Sequence, residues 1–313
     1  MSNALIFPGQ GSQSLGMLAD LAVEYGDIVL EPFNTASNIL GFDLWQLCQD
    51  GPEEKLNATE NTQPALLTAG YAVWHVMRET LDVKTAMMAG HSLGEYTALV
   101  CSGALAFAEA VELVAFRGRA MQEAVAPGTG AMAAILGLPD GEVIAACEQA
   151  AAGETVSAVN FNSPGQVVIA GSIAAVERAI DKAMERGAKK AIKLPVSVPS
   201  HCALMLPAAE RLDEKLQSID FNKSEVPVLH NVDVKKHEDA AGIRAALVAQ
   251  LYNPVRWVET IEQIKANDVD TVIECGPGKV LTGLNKRIDR SINALPIYDT
   301  ASLEKAKTVL GGK

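Results

Sequence analysis

Residues 86–100 read AMMAGHSLGEYTALV, a short apolar run followed at once by the pentapeptide GHSLG at positions 90–94. This order predicts a buried strand, a tight turn and a helix, because glycines on both sides of Ser92 remove side chains that would collide in so sharp a turn. The turn would expose the Ser92 hydroxyl and set the N–H of Leu93 at a helix N-terminus, where partial positive charge stabilises an oxyanion. We predict that Ser92 is a nucleophile; the alternative is a glycine-rich turn with a capping serine.

The rest of the chain repeats this alternation of strands and helices. Residues 3–7 read as a buried strand, helical patterns occur around 17–40, 63–80 and 104–126, and a further buried strand is predicted at 271–274. Such alternation predicts an α/β fold with a mostly parallel sheet covered on both faces. At 313 residues and 49% hydrophobic content, the chain can bury a large core.

Between residues 128 and 193 the order changes to β-α-β-β-α-β, which is the ferredoxin-like pattern. Pro127 and Gly128 precede this segment, and a proline-bounded stretch from 195 to 199 follows it. We therefore predict two domains. Residues 1–127 and 198–313 form a large catalytic domain, and residues 128–197 form a small domain inserted into it.

Composition excludes several classes of function. A net charge of −12 argues against general nucleic-acid binding, which needs dense lysine and arginine. The five cysteines are odd in number and widely spaced, so neither a disulfide framework nor a zinc site is predicted. The apolar runs are too short to span a membrane and the N-terminus lacks a signal-peptide pattern, so we expect a cytoplasmic protein. The glycines at 9, 11 and 16 fit neither phosphate-loop pattern, and no metal or resident cofactor is expected.

A serine nucleophile needs a base within hydrogen-bond reach, and histidine is the usual one. His237 lies in a charged stretch, His75 lies within a helical pattern, and His230 on an apolar strand favours a core imidazole. His91 adjoins Ser92, so its side chain should point away from the serine. His201 remains, in a proline-bounded loop where two domains would meet.

Six motifs follow one another along nearly the whole chain. They are FPGQGSQ at 7–13, GHSLGE at 90–95, RG at 117–118, NFNSPGQ at 160–166, PSH at 199–201 and ECGPG at 274–278. Together they resemble one family, the malonyl-CoA:acyl-carrier-protein transacylases of type II fatty acid synthesis. That resemblance implies an α/β-hydrolase-like large domain with a parallel sheet core and an inserted ferredoxin-like small domain, in agreement with the pattern of elements.

The resemblance also implies roles for individual residues. Ser92 would carry the acyl ester, His201 would act as base and then acid, and the backbone N–H groups of Gln10 and Leu93 would form an oxyanion hole. Arg117 would bind the free carboxylate of malonyl, since a guanidinium offers two parallel charge-assisted hydrogen bonds. From the sequence alone, an arginine on a helix surface is the alternative.

Other matched positions would orient the base or line the pocket. Gln250 would orient His201 through its carbonyl, where hydrolase triads use a carboxylate. Further pocket residues would be Gln63, His91, Asn160 and Asn162. An N-terminal helix cap would also explain Gln63, and an ordinary hairpin turn would also explain the asparagine motif.

The activity that the resemblance implies is ping-pong transfer of malonyl from malonyl-CoA to the phosphopantetheine thiol of holo acyl carrier protein. The coenzyme A thioester is then a substrate, and the partner carries the phosphopantetheine. Carrier proteins of this pathway are acidic, so we expect a positive patch on this acidic chain, drawn from Lys189, Lys190, Lys286 and Arg287. The alternatives are a serine esterase, lipase or patatin-like hydrolase, an inactive binding module, and a relative that serves a polyketide synthase.

Overall fold

The computed structural model describes residues 2–196 and 198–312. Its strands are β1 (Asn3–Phe7), β2 (Thr85–Gly90), β3 (Gly130–Leu136), β4 (Val156–Ser163), β5 (Gln166–Ser172), β6 (Lys190–Lys193), β7 (Val228–Leu229), β8 (Thr271–Cys275) and β9 (Asn293–Ile297). Its helices are α1 (Ala19–Tyr25), α2 (Asp27–Leu40), α3 (Leu44–Asp50), α4 (Glu53–Asn57), α5 (Thr59–Thr80), α6 (Gly94–Cys101), α7 (Phe107–Glu123), α8 (Asp140–Ala151), α9 (Ile173–Glu185), α10 (Leu206–Leu216), α11 (Ala240–Gln250), α12 (Trp257–Ala266), α13 (Val280–Ile288) and α14 (Thr300–Leu310).

The larger sheet is parallel, in the order β7-β2-β1-β8-β9. Its central strand β1 is buried along its whole length, and successive side chains of a strand point to opposite faces. Leu5 and Phe7 accordingly pack with the helical layer that contains α5 and α7, whereas Ala4 and Ile6 pack with α12 and α13. Both faces are covered, which confirms the predicted α/β class with a parallel sheet core.

The smaller sheet is antiparallel, in the order β4-β5-β3-β6. Its elements follow one another as β3-α8-β4-β5-α9-β6, which confirms the predicted β-α-β-β-α-β order. One face packs against α8 and α9, and the other meets a segment that includes Val196, Cys202 and Leu204. The strands lie inside the predicted small domain of residues 128–197. Its boundaries stay a prediction, and Ser197 lies outside the described residues.

The helix patterns around 17–40 and 104–126 were predicted with boundaries that the structure changes. Gly26 has a φ of 47° and ends α1 before α2 begins, so the first pattern is two helices. The pattern at 104–126 shortens to α7, and the one at 63–80 begins four residues earlier, as α5. Among the described residues, no helix has the length and apolar character needed to cross a membrane.

Candidate active site

Ser92 lies in the turn between β2 and α6, as the sequence predicts. Its φ is 51°, a left-handed conformation that is uncommon for a residue with a side chain and costs about 1–3 kcal/mol. The flanking glycines permit the turn. A Cβ on Gly90 would lie 1.8 Å from the carbonyl carbon of Gly94, and a Cβ on Gly94 would lie 2.0 Å from the carbonyl oxygen of Phe7.

Asn231, which follows β7, anchors this turn from the neighbouring chain segment. The backbone N–H of Ser92 donates to Asn231 Oδ1 at 2.7 Å, and Asn231 Nδ2 donates to the carbonyl of Gly90, also at 2.7 Å. The side chain of Asn231 is fully buried, so these bonds are shielded from water. One amide side chain therefore holds the strained turn at Ser92 itself and at Gly90, two residues before it.

His201 is the histidine that reaches Ser92. Its Nε2 lies 2.8 Å from Ser92 Oγ, and its Nδ1 lies 2.7 Å from the backbone carbonyl oxygen of Gln250, at the end of α11. A carbonyl oxygen only accepts hydrogen bonds, so Nδ1 carries the proton and Nε2 is left to accept from the serine hydroxyl. Burial, with the positive charge of Arg117 as the next cause, lowers the pKa of His201 to about 3. The imidazole is thus neutral and oriented as a base toward Ser92.

Arg117 extends from α7 into the same site and is only 1% exposed, so the interpretation of a helix-surface arginine is wrong. Its Nη1 donates to Gln63 Oε1 at 2.9 Å, and its Nη2 donates to Gln250 Oε1 at 2.9 Å and to Ser92 Oγ at 3.3 Å. Burial lowers the pKa of Arg117, but a guanidinium stays charged in proteins. A buried positive charge therefore lies beside the serine hydroxyl.

The loop after β1 comes close to the Ser92 turn. Gly9 permits this approach, since a Cβ there would lie 2.4 Å from the carbonyl oxygen of His91. Gln10 and Leu93 both line the cavity that contains Ser92. The structure thus brings together the two residues whose backbone N–H groups are predicted to form an oxyanion hole.

Of the remaining predicted pocket residues, Gln63 lies inside α5, so the interpretation of a helix cap is wrong. Its side chain fixes Arg117 instead. His91 Nε2 bonds to Asn162 Oδ1 at 2.8 Å and does not reach Ser92. Asn162 belongs to β4, and a turn at 164–165 joins this strand to β5, so the motif also forms the predicted hairpin. Asn160 lines the cavity.

The cavity has a volume of about 480 Å³ and lies between the two sheets. Chain segments from both sides line it, and Ser92 is partly exposed within it. Among residues 2–196 and 198–312, no cluster of three histidine, cysteine, aspartate or glutamate side chains is arranged to hold a metal ion. The lining residues from the small-sheet side are Met132, Asn160, Leu194 and Pro195, and those around the nucleophile are Gln10, His91, Ser92, Leu93, Arg117 and His201.

Glu95 was not predicted as a site residue, although it is completely buried one residue into α6. Its carboxylate accepts hydrogen bonds from Gln250 Nε2 at 2.9 Å and from the backbone N–H of Asn231 at 2.8 Å, and it pairs with His230 Nδ1 at 2.8 Å. The sequence does contain a signal for this role, because Glu95 follows GHSLG in the first turn of the predicted helix. A buried carboxylate needs hydrogen-bond donors, so other site residues are expected to contact it. His230 is a core imidazole, as predicted.

Comparison with known proteins gives consistent matches over nearly the whole chain. The family described as "Acyl transferase domain" matches residues 4–307. A "Malonyl CoA-acyl carrier protein transacylase" of Salmonella typhimurium is 57% identical over 97% of this chain and 98% of its own, and one of Bacillus subtilis is 44% identical over 97% and 95%.

Solved structures match equally well. The malonyl CoA-acyl carrier protein transacylase of Coxiella burnetii has a TM-score of 0.96 at 52% identity, covering 99% of this chain and 98% of that one. A malonyl-transacylase solved in complex with its type II PKS acyl-carrier protein has a TM-score of 0.96 at 55% identity, covering 98% and 99%. The fold of these enzymes is the fold described above.

Proposed function

The chain belongs to the acyl transferase domain family, among the malonyl CoA-acyl carrier protein transacylases, and from this premise we propose a malonyl ester on Ser92 as its intermediate. The malonyl group passes from malonyl-CoA to Ser92 and then to the phosphopantetheine thiol of acyl carrier protein, in fatty acid synthesis. One observation carries the proposal. Ser92 Oγ has His201 Nε2 at 2.8 Å and Arg117 Nη2 at 3.3 Å, a base and a cation on one hydroxyl.

In the first half-reaction, His201 Nε2 accepts the hydroxyl proton as Ser92 Oγ attacks the thioester carbonyl carbon. The carbonyl oxygen becomes an oxyanion, which the N–H groups of Gln10 and Leu93 stabilise. The C–S bond then breaks, the malonyl ester of Ser92 remains, and the imidazolium returns its proton to the coenzyme A thiolate. A backbone carbonyl behind His201 suffices for this half-reaction, because the departing thiol is a far better leaving group than an amine or an alcohol.

In the second half-reaction, the pantetheine thiol of the carrier protein occupies the place of the coenzyme A thiol. His201 accepts the thiol proton, the thiolate sulfur attacks the ester carbon, and the C–O bond to Ser92 breaks. The proton then passes from the imidazolium to the serine oxygen, which restores the free enzyme. Occupation of the cavity by the pantetheine arm limits attack by water on the ester during the exchange.

Arg117 gives the site its preference for an acyl group with a free carboxylate. Gln63, Gln250 and Ser92 accept three of its five N–H groups, and its Nε has no acceptor among the residues that the structure describes. Donors of the fork therefore remain for the malonyl carboxylate when it lies beside Ser92. An acetyl group offers no charge to this buried cation.

The pathway of the carrier protein also needs a test, because one structural relative is solved with a type II PKS acyl-carrier protein. The chemistry at Ser92 would be the same for a polyketide carrier. The two pathways can be distinguished by letting a fatty-acid carrier protein and a polyketide carrier protein compete for the malonylated enzyme. Faster transfer to the polyketide carrier protein would assign the chain to polyketide synthesis instead.

Intact-protein mass spectrometry tests the intermediate. Incubation with malonyl-CoA should add one malonyl group, addition of holo carrier protein should remove it, and the Ser92→Ala variant should gain nothing. Ser218→Ala, an exposed serine after α10, is the matched control and should load fully. Loading of Ser92→Ala would refute the assignment, and so would an ester that the carrier protein does not discharge.

The basic patch lies where the small sheet meets α13. Arg287 Nη1 donates to Gln166 Oε1, Gln166 pairs with Leu136 in the sheet, and Leu136 pairs with Lys190. Lys189 and Lys286 adjoin these residues in the chain. Arg287 therefore contacts β5, two strands from Lys190 on β6, and we propose that these positive charges attract an acidic carrier protein.

Charge reversal tests this surface. Arg287→Glu together with Lys190→Glu should raise the KM for carrier protein about tenfold at low salt, and less at high salt, while malonyl-CoA loads Ser92 at the normal rate. Lys223→Glu together with Lys305→Glu, exposed in the loop before β7 and on α14, is the control of equal charge change. An unchanged KM in the double variant would exclude this patch as the docking surface.

A further inference from the structure

A layer of buried polar side chains lies directly behind the reacting atoms, and Gln250 lies at its centre. Gln250 Oε1 accepts from Arg117 Nη2 at 2.9 Å, while Gln250 Nε2 donates to Glu95 Oε2 at 2.9 Å and to the carbonyl oxygen of Ser92 at 3.1 Å. Arg117, Gln250 and Glu95 are 1%, 1% and 0% exposed. The amide thus stands between a buried cation and a buried carboxylate.

The carboxylate cannot move toward the cation, because its other partners hold it. Glu95 Oε1 bonds to His230 Nδ1 at 2.8 Å, and Oε2 also accepts the backbone N–H of Asn231 at 2.8 Å. Within the described residues, Arg117 makes no direct ion pair, and its acceptors are the neutral oxygens of Gln63, Gln250 and Ser92. The orientation of the Gln250 amide is fixed, since only its oxygen can accept from Arg117 and only its nitrogen can donate to Glu95.

An arginine that binds a substrate carboxylate has two opposed requirements, a counter-charge and free N–H donors, and this geometry meets both. A buried cation without a counter-charge is costly, because its hydration is lost. A carboxylate paired directly with the fork would occupy its donors and cancel its charge, which leaves nothing for a substrate carboxylate. A carboxylate that is separated from the guanidinium by one amide group still attracts it, because the dielectric constant of the interior is low. It does not occupy the guanidinium N–H donors.

We propose that the side chain of Gln250 separates Arg117 from its counter-ion Glu95, and that this separation keeps Arg117 selective for acyl groups that carry a free carboxylate. Gln250 is then a specificity-determining residue and Glu95 a positioning residue. The inference rests on the proposed function. It assigns Gln250 a second role besides the orientation of His201, which uses the backbone carbonyl and is independent of the side chain.

The variant Gln250→Glu tests the separation, because it places a carboxyl group directly against Arg117 and leaves the backbone carbonyl behind His201. It also loses the amide donor to Glu95, so the exchanged double variant, which removes the second carboxylate, is measured beside it. The ratio of kcat/KM for malonyl-CoA to that for acetyl-CoA should fall roughly 10- to 100-fold, the range for loss of a hydrogen bond to a charged group. Acetyl transfer should fall by less than malonyl transfer, because an acetyl group has no carboxylate to lose its contact with Arg117. Gln149→Glu, exposed on α8, makes the same charge change elsewhere and should leave the ratio unchanged.

The double variant Gln250→Glu with Glu95→Gln exchanges the amide and the carboxylate, so the total charge of the cluster stays the same. The ratio should remain low, because the counter-ion now contacts Arg117 directly. A wild-type ratio in Gln250→Glu, or its recovery in the exchanged variant, overturns the inference, as does an equal loss of malonyl and acetyl transfer. If the unmodified enzyme transfers no malonyl group at all, the proposed function fails instead.

Discussion

In the proposed mechanism, the protonation of His201 determines how the rate of Ser92 acylation depends on pH. Only the neutral imidazole can accept the serine proton. Burial lowers the pKa of His201 from 6.5 to about 3, the charge of Arg117 adds to this, and the hydrogen bond to the carbonyl of Gln250 opposes it. A lowered pKa means that the base becomes protonated, and the rate falls, only when the pH drops toward 3.

The size of the change in kcat/KM with pH distinguishes this site from one whose histidine has an ordinary pKa. An imidazole with a pKa of 6.5 is about 3% neutral at pH 5, which would reduce kcat/KM about 30-fold from its value at pH 8. With a pKa of about 3, roughly 99% of His201 is neutral at pH 5. We therefore expect kcat/KM for acylation to change by less than about 1.1-fold from this cause between pH 5 and pH 8.

The assay is rapid-quench measurement of Ser92 acylation by malonyl-pantetheine at limiting substrate, from pH 5 to pH 8. Malonyl-pantetheine carries no phosphate, so the titration of coenzyme A phosphates does not contribute. Arg117→Gln, measured with acetyl-pantetheine beside the wild type, should move the loss of rate to higher pH, because one cause of the lowered pKa is gone. A 30-fold decline centred near pH 6.5 in the wild type would refute the reasoning.

Two further expectations concern the turn that displays the nucleophile. Gly94→Ala should lower the free energy of unfolding by about 3 kcal/mol or more, since its Cβ would lie 2.0 Å from the carbonyl oxygen of Phe7. In the same urea titrations, Gly283→Ala in α13, where a Cβ meets open space, should be neutral or stabilising by up to about 1 kcal/mol. Asn231→Ala should lower the free energy of unfolding by about 1–3 kcal/mol, because it leaves the buried N–H of Ser92 without an acceptor. The same variant should slow acylation of Ser92. A normal acylation rate would contradict the anchoring role of Asn231.

The classes of element and their order could be predicted from sequence because hydrophobic periodicity is a local property. The order of the strands within the sheet could not be predicted from hydrophobic periodicity. β1 lies between β2, about eighty residues later in the chain, and β8, near its C-terminal end, so its neighbours are chosen by packing across the whole molecule. The break at Gly26 also escaped prediction, because the apolar pattern continues across it and only the backbone angle changes.

The reacting residues were predictable to different degrees. Ser92 has a local signal, since two glycines and a helix start surround it. His201 was found by elimination among five histidines. Arg117 was found through the resemblance, because a charged residue in an amphipathic helix normally faces solvent, and only the structure shows it buried against α5.

Gln250 shows where sequence reasoning stops. Its backbone carbonyl and its side-chain amide serve different neighbours, and a motif match identifies only the position, not which atoms act. Each amide partner lies more than 130 residues away in the chain, so no spacing rule connects them. The polarity of the amide nevertheless follows from physics once the partners are known, because the guanidinium only donates and the carboxylate only accepts. The motif gives no link between Glu95 and Arg117, whereas the two hydrogen bonds of the Gln250 amide connect them, and the proposed role of Glu95 depends on that connection.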